Sequence, residues 1–261
     1  MINKNQEQNI PAVVSELPEN KKSILEIGSV TVAKVLTVLV LMISIFYSIF
    51  ISFSPYRLAA GGICVLLWIL YRKMKKLTSL FAGLFELVSL LAILYIGFLF
   101  QFPPFIVTHS PWKYPIQKAC IDLYQNIKEP EYFPDFTEAV ISGYTFSYMP
   151  SILQGAGHYC VSFITTPEQA QEYEKIYSGQ AQYHFPMTEL HGYSYELDRE
   201  NFKSISVIVS SLWEESSFEE YAGETHTNIY ILSTNADWNH PHTSAVIVDS
   251  QSGRIEFSQL G

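Results

Sequence analysis

The chain has 261 residues, 48% of them hydrophobic and 16% charged, with a formal charge of −9, which suits one or two folded domains and excludes a wholly disordered chain. Residues 1–101 carry nine Lys/Arg against five acids, whereas residues 102–261 carry seven against twenty. A carboxy-terminal part this acidic repels phosphate backbones and anionic lipid, which argues against nucleic acid as a partner.

Residues 1–27 are polar, contain two prolines and show no sustained periodicity. They read as a disordered cytoplasmic tail. Three apolar runs follow, at 30–53, 58–71 and 77–102. Crossing about 30 Å of hydrocarbon takes roughly 20 helical residues, which the first and third runs supply. The second is short but bracketed by Arg57 and Arg72, whose long side chains can snorkel outward. The expectation is an anchor of three transmembrane helices over residues 28–102. Four basic residues between the second and third runs, against Arg57 alone between the first and second, place the amino terminus in the cytoplasm. Three crossings would then put the rest of the chain outside a plasma membrane. The first run is too long for a signal peptide and ends in Phe53-Ser54-Pro55-Tyr56 without a small-residue cleavage pattern, so it reads as retained.

Lys34 and Glu86 interrupt the first and third runs. An ionisable group within a span is by default functional and wants a partner. A Lys34–Glu86 ion pair tying the two helices together is the sharp reading. The bland one is a snorkelling lysine and a protonated glutamate.

Phe102-Pro103-Pro104 ends the third run, and residues 103–114 read as a linker with Trp112 and Tyr114 at headgroup level. From Pro115 the apolar positions Ile116, Ala119, Cys120, Leu123, Tyr124 and Ile127 predict an amphipathic helix. Strands are expected at 139–148 and 158–165. A second helix opens on the capping box Thr166-Pro167-Glu168-Gln169 and stops at Ser178-Gly179. Further strands fall at 193–197, 204–212, 228–233 and 244–249, and Asp249–Gly253 turns a hairpin into the last one at 254–258. The expected fold class is therefore a three-helix membrane anchor followed, over 115–261, by an extracytoplasmic α+β domain with two helices and a mainly antiparallel sheet.

Chemistry-bearing motifs are sparse. His240 and His242 flank a proline, with Asp237 just before and His226 upstream, a set that could ligate zinc if His226 folded back. No second spaced pair supports it, and a polar loop accounts for the same residues. Cys160 sits two residues from His158 on one expected strand, a poor arrangement for a nucleophile and its base. Cys120 and Cys160 are candidates for a disulfide in an oxidising compartment. The acidic stretch holding Glu214, Glu215, Glu219, Glu220 and Glu224 lacks an EF-hand rhythm. No cofactor is called for. These features favour a binding module displayed from the lipid bilayer to an envelope or membrane-protein partner. The alternatives are a metal-dependent hydrolase using the His/Asp set, or an accessory subunit of a membrane complex.

Overall fold

The computed structural model describes residues 19–53, 55–73, 78–99, 103–124, 129–136, 138–151, 155–191, 194–198, 203–209, 226–235 and 241–261. Contacts divide the chain into two units, Met1–Met42 with Ala59–Ile96, and Ile43–Leu58 with Gly97–Gly261. Three helices supply the first: α1 (Glu19–Phe50), α2 (Pro55–Lys73) and α3 (Thr78–Leu99). Residues 19–27 are thus helical, not a disordered tail.

The expectation of three transmembrane helices fails. Among the described residues only α1 is long and apolar enough to cross a membrane, over Thr31–Phe50 with mean hydropathy 2.3. The apolar stretches of α2 (Pro55–Leu70) and α3 (Gly83–Phe98) fall below 18 residues. At 1.5 Å per residue each spans less than about 27 Å, short of the hydrocarbon layer.

In this unit Ala33, Thr37, Cys64 and Ser89 are buried together with Val40, Phe85 and Ile96, while Val35, Met42, Leu66, Leu87, Leu90 and Leu94 are exposed. The Thr37 hydroxyl donates to the Ala33 carbonyl (2.8 Å) and lies 3.4 Å from the Ser89 hydroxyl. Gly61 lets α2 approach Leu41 of α1, since a Cβ there would sit 3.1 Å from Leu41 Cδ1. Small residues at a helix contact permit such closeness.

The second unit is built on a seven-stranded sheet, ordered β1-β2-β3-β9-β8-β7-β4, with every neighbouring pair antiparallel. Its strands are β1 (Ile106–Thr108), β2 (Ser142–Met149), β3 (His158–Ile164), β4 (Tyr183–Pro186), β7 (Thr227–Thr234), β8 (Thr243–Asp249) and β9 (Arg254–Leu260); β5 (Ser194–Asp198) and β6 (Lys203–Ser206) form a separate hairpin. The expected linker therefore contains an edge strand, β1. Five helices, one of them a candidate span, and a large seven-stranded sheet replace the expected three transmembrane helices with a two-helix domain, although the mainly antiparallel character of the sheet is as the alternation of β-branched and aromatic residues indicates.

One face of the sheet carries Phe146, Tyr148, Tyr159, Val161, Phe163, Phe257, Val246 and Val248, all in one core cluster. Two helices, α4 (Tyr114–Asp122) and α5 (Pro167–Ser178), contribute Tyr114, Ile121, Tyr173 and Tyr177 to that cluster. The capping box works as expected at its first residue: Thr166 Oγ1 accepts from the Gln169 amide at 3.2 Å, with proline at the helix start. Glu174 then fixes α5 to β7 by accepting from Tyr230 (2.8 Å) and Asn228 (3.1 Å).

The opposite face divides. Ile229, Ile231, Ala245 and Ile247 meet Phe185, Ile205, Val207 and Val209 in a second core. Across β9, β3 and β2 the register continues that face as Glu256 and Ser258, Ser162 and Cys160, and Thr145 and Ser147. Ser258 Oγ donates to the Ile208 carbonyl at 2.7 Å.

The β8–β9 hairpin closes on an Asx turn. Asp249 Oδ1 accepts from the amides of Gln251 (2.9 Å) and Ser252 (3.1 Å), and Gly253 follows at φ +76°. A Cβ on Gly253 would lie 2.2 Å from the Thr165 carbonyl oxygen. We expect Gly253→Ala to destabilise the sheet unit by about 2 kcal/mol or more, from the left-handed backbone alone before the clash is relieved. Chemical denaturation followed by tyrosine fluorescence measures it, and a loss under about 0.5 kcal/mol would contradict this reading of the turn.

Candidate functional site: a pocket at the start of α4

The amphipathic face of α4 is not the one that apolar spacing indicates. Its buried residues are Tyr114, Gln117 and Ile121, whereas Leu123 is 81% exposed. The helix is rotated because two polar side chains find partners inside. Gln117 Nε2 donates to the Ile51 carbonyl at 3.0 Å. Tyr114, expected among lipid headgroups, is 5% exposed and packs edge-on against Phe136 (4.9 Å between centroids) and Phe146 (5.2 Å).

The Tyr114 hydroxyl donates to Glu129 Oε1 and lies 2.8 Å from the Tyr159 hydroxyl. With its proton committed to Glu129, Tyr114 accepts from Tyr159. The Lys118 ammonium, one turn along α4, pairs with Glu129 Oε2. A polar chain thus runs from Tyr159 in the core through Tyr114 to a carboxylate–ammonium pair at the surface. Burial, reinforced by the neighbouring phenol, holds Tyr114 far above the usual phenol value; burial likewise raises Tyr159. Both are donors at any ordinary pH.

This chain emerges in a pocket of about 470 Å³ lined by Tyr114, Pro115, Lys118, Glu129, Phe133, Pro134, Asp135 and Phe136. That volume lies within the range of small-molecule sites. Residues 129–136 form the wall opposite α4 and carry two acids, one proline and two phenylalanines of the lining. The segment was not assigned to any element from sequence, though its alternation of acid, proline and aromatic residues was a signal. Nothing in this lining is a nucleophile beside a base.

On the far side α4 meets the end of α1. Tyr47 and Ile51 belong to the same core cluster as the sheet residues. The amides of Ile51 and Ser52 both donate to the Tyr47 carbonyl (2.9 and 3.0 Å), an i−4 and an i−5 bond that close the helix end. Arg57 is 8% exposed and lies over the Tyr47 ring at 3.6 Å, so it does not snorkel away as expected. Phe50 packs edge-on to Trp112 at 5.9 Å.

The sequence-derived sites fare differently. Lys34 and Glu86 are half-buried on α1 and α3, each three residues before the Thr37–Ser89 contact. Cys120 and Cys160 are unbridged. Cys120 packs against the aromatic core, whereas Cys160 points to the opposite face of the sheet, where its thiol lies 3.7 Å from Ser258 Oγ. The β7–β8 register (Thr227↔Asp249, Thr234↔Thr243) puts exposed His226 and His242 at opposite ends of a hairpin roughly 25 Å long, too far apart to share a metal. Asp237 and His240 lie outside the described residues, as does the acidic stretch from Glu214 to Glu224, and no metal-ligating group of three occurs among the described residues.

A contact the sequence did not flag joins Ser147 Oγ to His158 Nε2 across β2 and β3, at 2.8 Å. Among the described residues no carboxylate orients the other ring nitrogen, so this pair lacks the third member of a hydrolytic triad. Burial lowers the His158 pKa and keeps the ring neutral near pH 7.

No family model, curated protein or solved structure matches this chain.

Two predictions follow from this geometry. Tyr114→Phe leaves the Tyr159 hydroxyl and Glu129 each short of a partner, and we expect a loss of about 1–3 kcal/mol in denaturant unfolding. His158 binds a proton less readily folded than unfolded, so stability is full above about pH 6.5 and falls as pH drops from there through the lowered folded value. His158→Asn should flatten the melting temperature between pH 6.5 and 5; an unchanged slope would assign the acid loss to other groups.

Proposed function

We propose that the chain is a membrane-anchored binding module, in which α1 provides attachment and the sheet unit recognises a ligand or partner. The observation that carries this reading is the end of α1. Its last turns are part of the core of the sheet unit through Tyr47, Ile51 and the Gln117–Ile51 hydrogen bond. The outward-facing large apolar side chains of the helical unit support a lipid setting, because in water they would be an unusually large exposed patch.

The α4 helix gives this module a way to report binding. Tyr114, Pro115 and Lys118 face the pocket, while Gln117 holds Ile51. An occupant that shifts α4 therefore bears on the end of the membrane helix. The strongly acidic sheet unit favours envelope or membrane-protein partners over nucleic acid. Its extracytoplasmic location remains part of the proposal: with α1 as the crossing element, Lys21 and Lys22 mark its cytoplasmic side.

The common level of Thr37 and Ser89 supports electrostatic pairing of Lys34 with Glu86. A double-mutant cycle with Lys34→Met and Glu86→Gln should give a coupling of about 0.5–1 kcal/mol, and additive effects would remove the pair from the reading.

Membrane attachment is tested by alkaline carbonate extraction of cells expressing the full chain. Retention in the pellet is expected, and release into the supernatant would overturn the anchor. Gln117→Ala should cost the purified protein about 1 kcal/mol in detergent. An impermeant thiol reagent applied to a Gln251→Cys variant, in a background without the native cysteines, should label intact cells; labelling only after lysis would move the sheet unit inside.

A further inference from the structure

The apolar spacing of α4 marks a stripe, and the fold turns that stripe outward. Tyr114, Gln117 and Ile121 face the core. At 3.6 residues per turn, positions 112, 116, 119 and 123 fall together on the opposite side. The residues flanking α4 keep this alignment, because Lys113 (φ −80°, ψ −20°) and Leu123 (φ −65°, ψ −25°) have helical backbone angles. Trp112 is 60% exposed and Leu123 81%, with Ala119 exposed between them and Ile116 half-buried. Apolar residues aligned in this way form a continuous stripe, unlike a scatter of single surface residues, and a stripe calls for a cover.

The end of α1 decides what that cover is. The apolar span Thr31–Phe50 has 20 residues, about 30 Å of helix, which matches a hydrocarbon layer and sets Phe50 at its boundary. α4 is tied to that level twice. Trp112 packs edge-on against Phe50 at 5.9 Å, and Gln117 Nε2 holds the Ile51 carbonyl at 3.0 Å. Phe53 and Tyr56, just past the span, are each 72% exposed, as aromatic side chains are in a headgroup layer. The Lys113 ammonium lies 5.4 Å from the Trp112 ring centre, which puts a cation beside the indole at the rim of the stripe. A second copy is the poorer cover, because residues 102–261 carry twenty acids against seven basic residues and like surfaces repel. The same surplus repels anionic headgroups, so the contact is apolar in origin and suits zwitterionic lipid.

We propose that α4 lies along the membrane surface, with Trp112, Ile116, Ala119 and Leu123 set into the boundary between headgroups and acyl chains of a zwitterionic bilayer. This rests on the reading of α1 as the membrane anchor and adds a second lipid contact beside it. Helices of this kind sit about 5–10 Å into that boundary. The sheet unit is then held against the bilayer at two points, which fixes its tilt as well as its distance.

The test uses the full chain, with its native cysteines replaced, in phosphatidylcholine vesicles. An NBD fluorophore is attached at Ala119→Cys or Leu123→Cys on the stripe, or at Gln251→Cys on the exposed β8–β9 turn as the reference. A lipid carrying a nitroxide high on its acyl chain should quench both stripe sites at least about 3-fold more than the reference, and aqueous iodide should quench them about 3-fold less. Iodide quenching equal to the reference, in a chain that floats with the vesicles, would overturn the interfacial helix and leave the anchor standing. Shielding from both quenchers, with disulfide cross-linking between copies at Leu123→Cys, would overturn it in favour of a second chain as the cover. A chain that fails to float with the vesicles would overturn both this contact and the anchor.

Discussion

A phenol buried among rings needs a partner for its proton and another for its lone pair, because the apolar surroundings offer neither. Tyr114 meets that requirement with Glu129 on one side and Tyr159 on the other. The consequences reach well beyond one residue. Glu129 must come to the start of α4, which draws residues 129–136 over the aromatic face of the sheet and places Phe133 and Phe136 against Tyr159 and Tyr114. Lys118, one turn on, can then neutralise the carboxylate. The pocket is the space left between this segment and α4. The same wall is held by the Tyr132 hydroxyl, which donates to the Ser258 carbonyl (2.7 Å), and by the Tyr177 hydroxyl, which donates to the Tyr132 carbonyl (2.8 Å).

The same helix turn explains why the sheet unit incorporates the end of α1. With Tyr114 facing the core, the i+3 position is Gln117, and its amide must be satisfied inside as well. The Ile51 carbonyl is among the groups that a helix end leaves without intrahelical partners. The Gln117 amide nitrogen answers that carbonyl, while Gln117 Oε1 is buried without a hydrogen-bond partner among the described residues. Arg57 closes the arrangement from the far side, with its guanidinium over the Tyr47 ring rather than in water. Because Arg57 opposes the effect of burial on Cys120, which still dominates, that thiol also senses the cation. Polar groups, more than apolar area, fix the entry of α1 into this core.

Much of the sheet was legible because its residues announce it. β8 has a continuous apolar centre and β9 alternates polar and apolar residues, and the two are joined by Asp249–Gly253, where the carboxylate caps the turn and glycine supplies the positive φ. α5 was readable from its capping threonine and proline. β1 and β4, of three and four residues, are too short for alternation to distinguish from loop, and only pairing with β2 and β7 makes them strands. The buried face of α4 was misread because apolar periodicity assumes that polar residues face water, and Tyr114 and Gln117 do not. Cross-strand register was equally hidden. It separates His226 from His242 by the length of a hairpin, sends Cys120 and Cys160 to opposite faces, and brings Ser147 to His158, none of which local spacing can express.

The helical unit shows the limit of counting apolar residues. Hydropathy marks three runs alike, but among the described residues only α1 combines the length and the apolar content of a crossing helix. What the shorter runs retain is a mixed interior, with Cys64 and Ser89 buried beside Phe85 and Ile96, and an exterior rich in leucine. In water this would be unfavourable, since large apolar side chains give most of their stabilisation by leaving solvent. In lipid the preference reverses: hydroxyls gain by bonding to one another or to a backbone carbonyl, as Thr37 does, and leucines lose nothing by facing hydrocarbon. A helix need not cross the bilayer to obey that rule. It need only have its apolar surface covered, and the exposed leucines of α2 and α3 are such a surface.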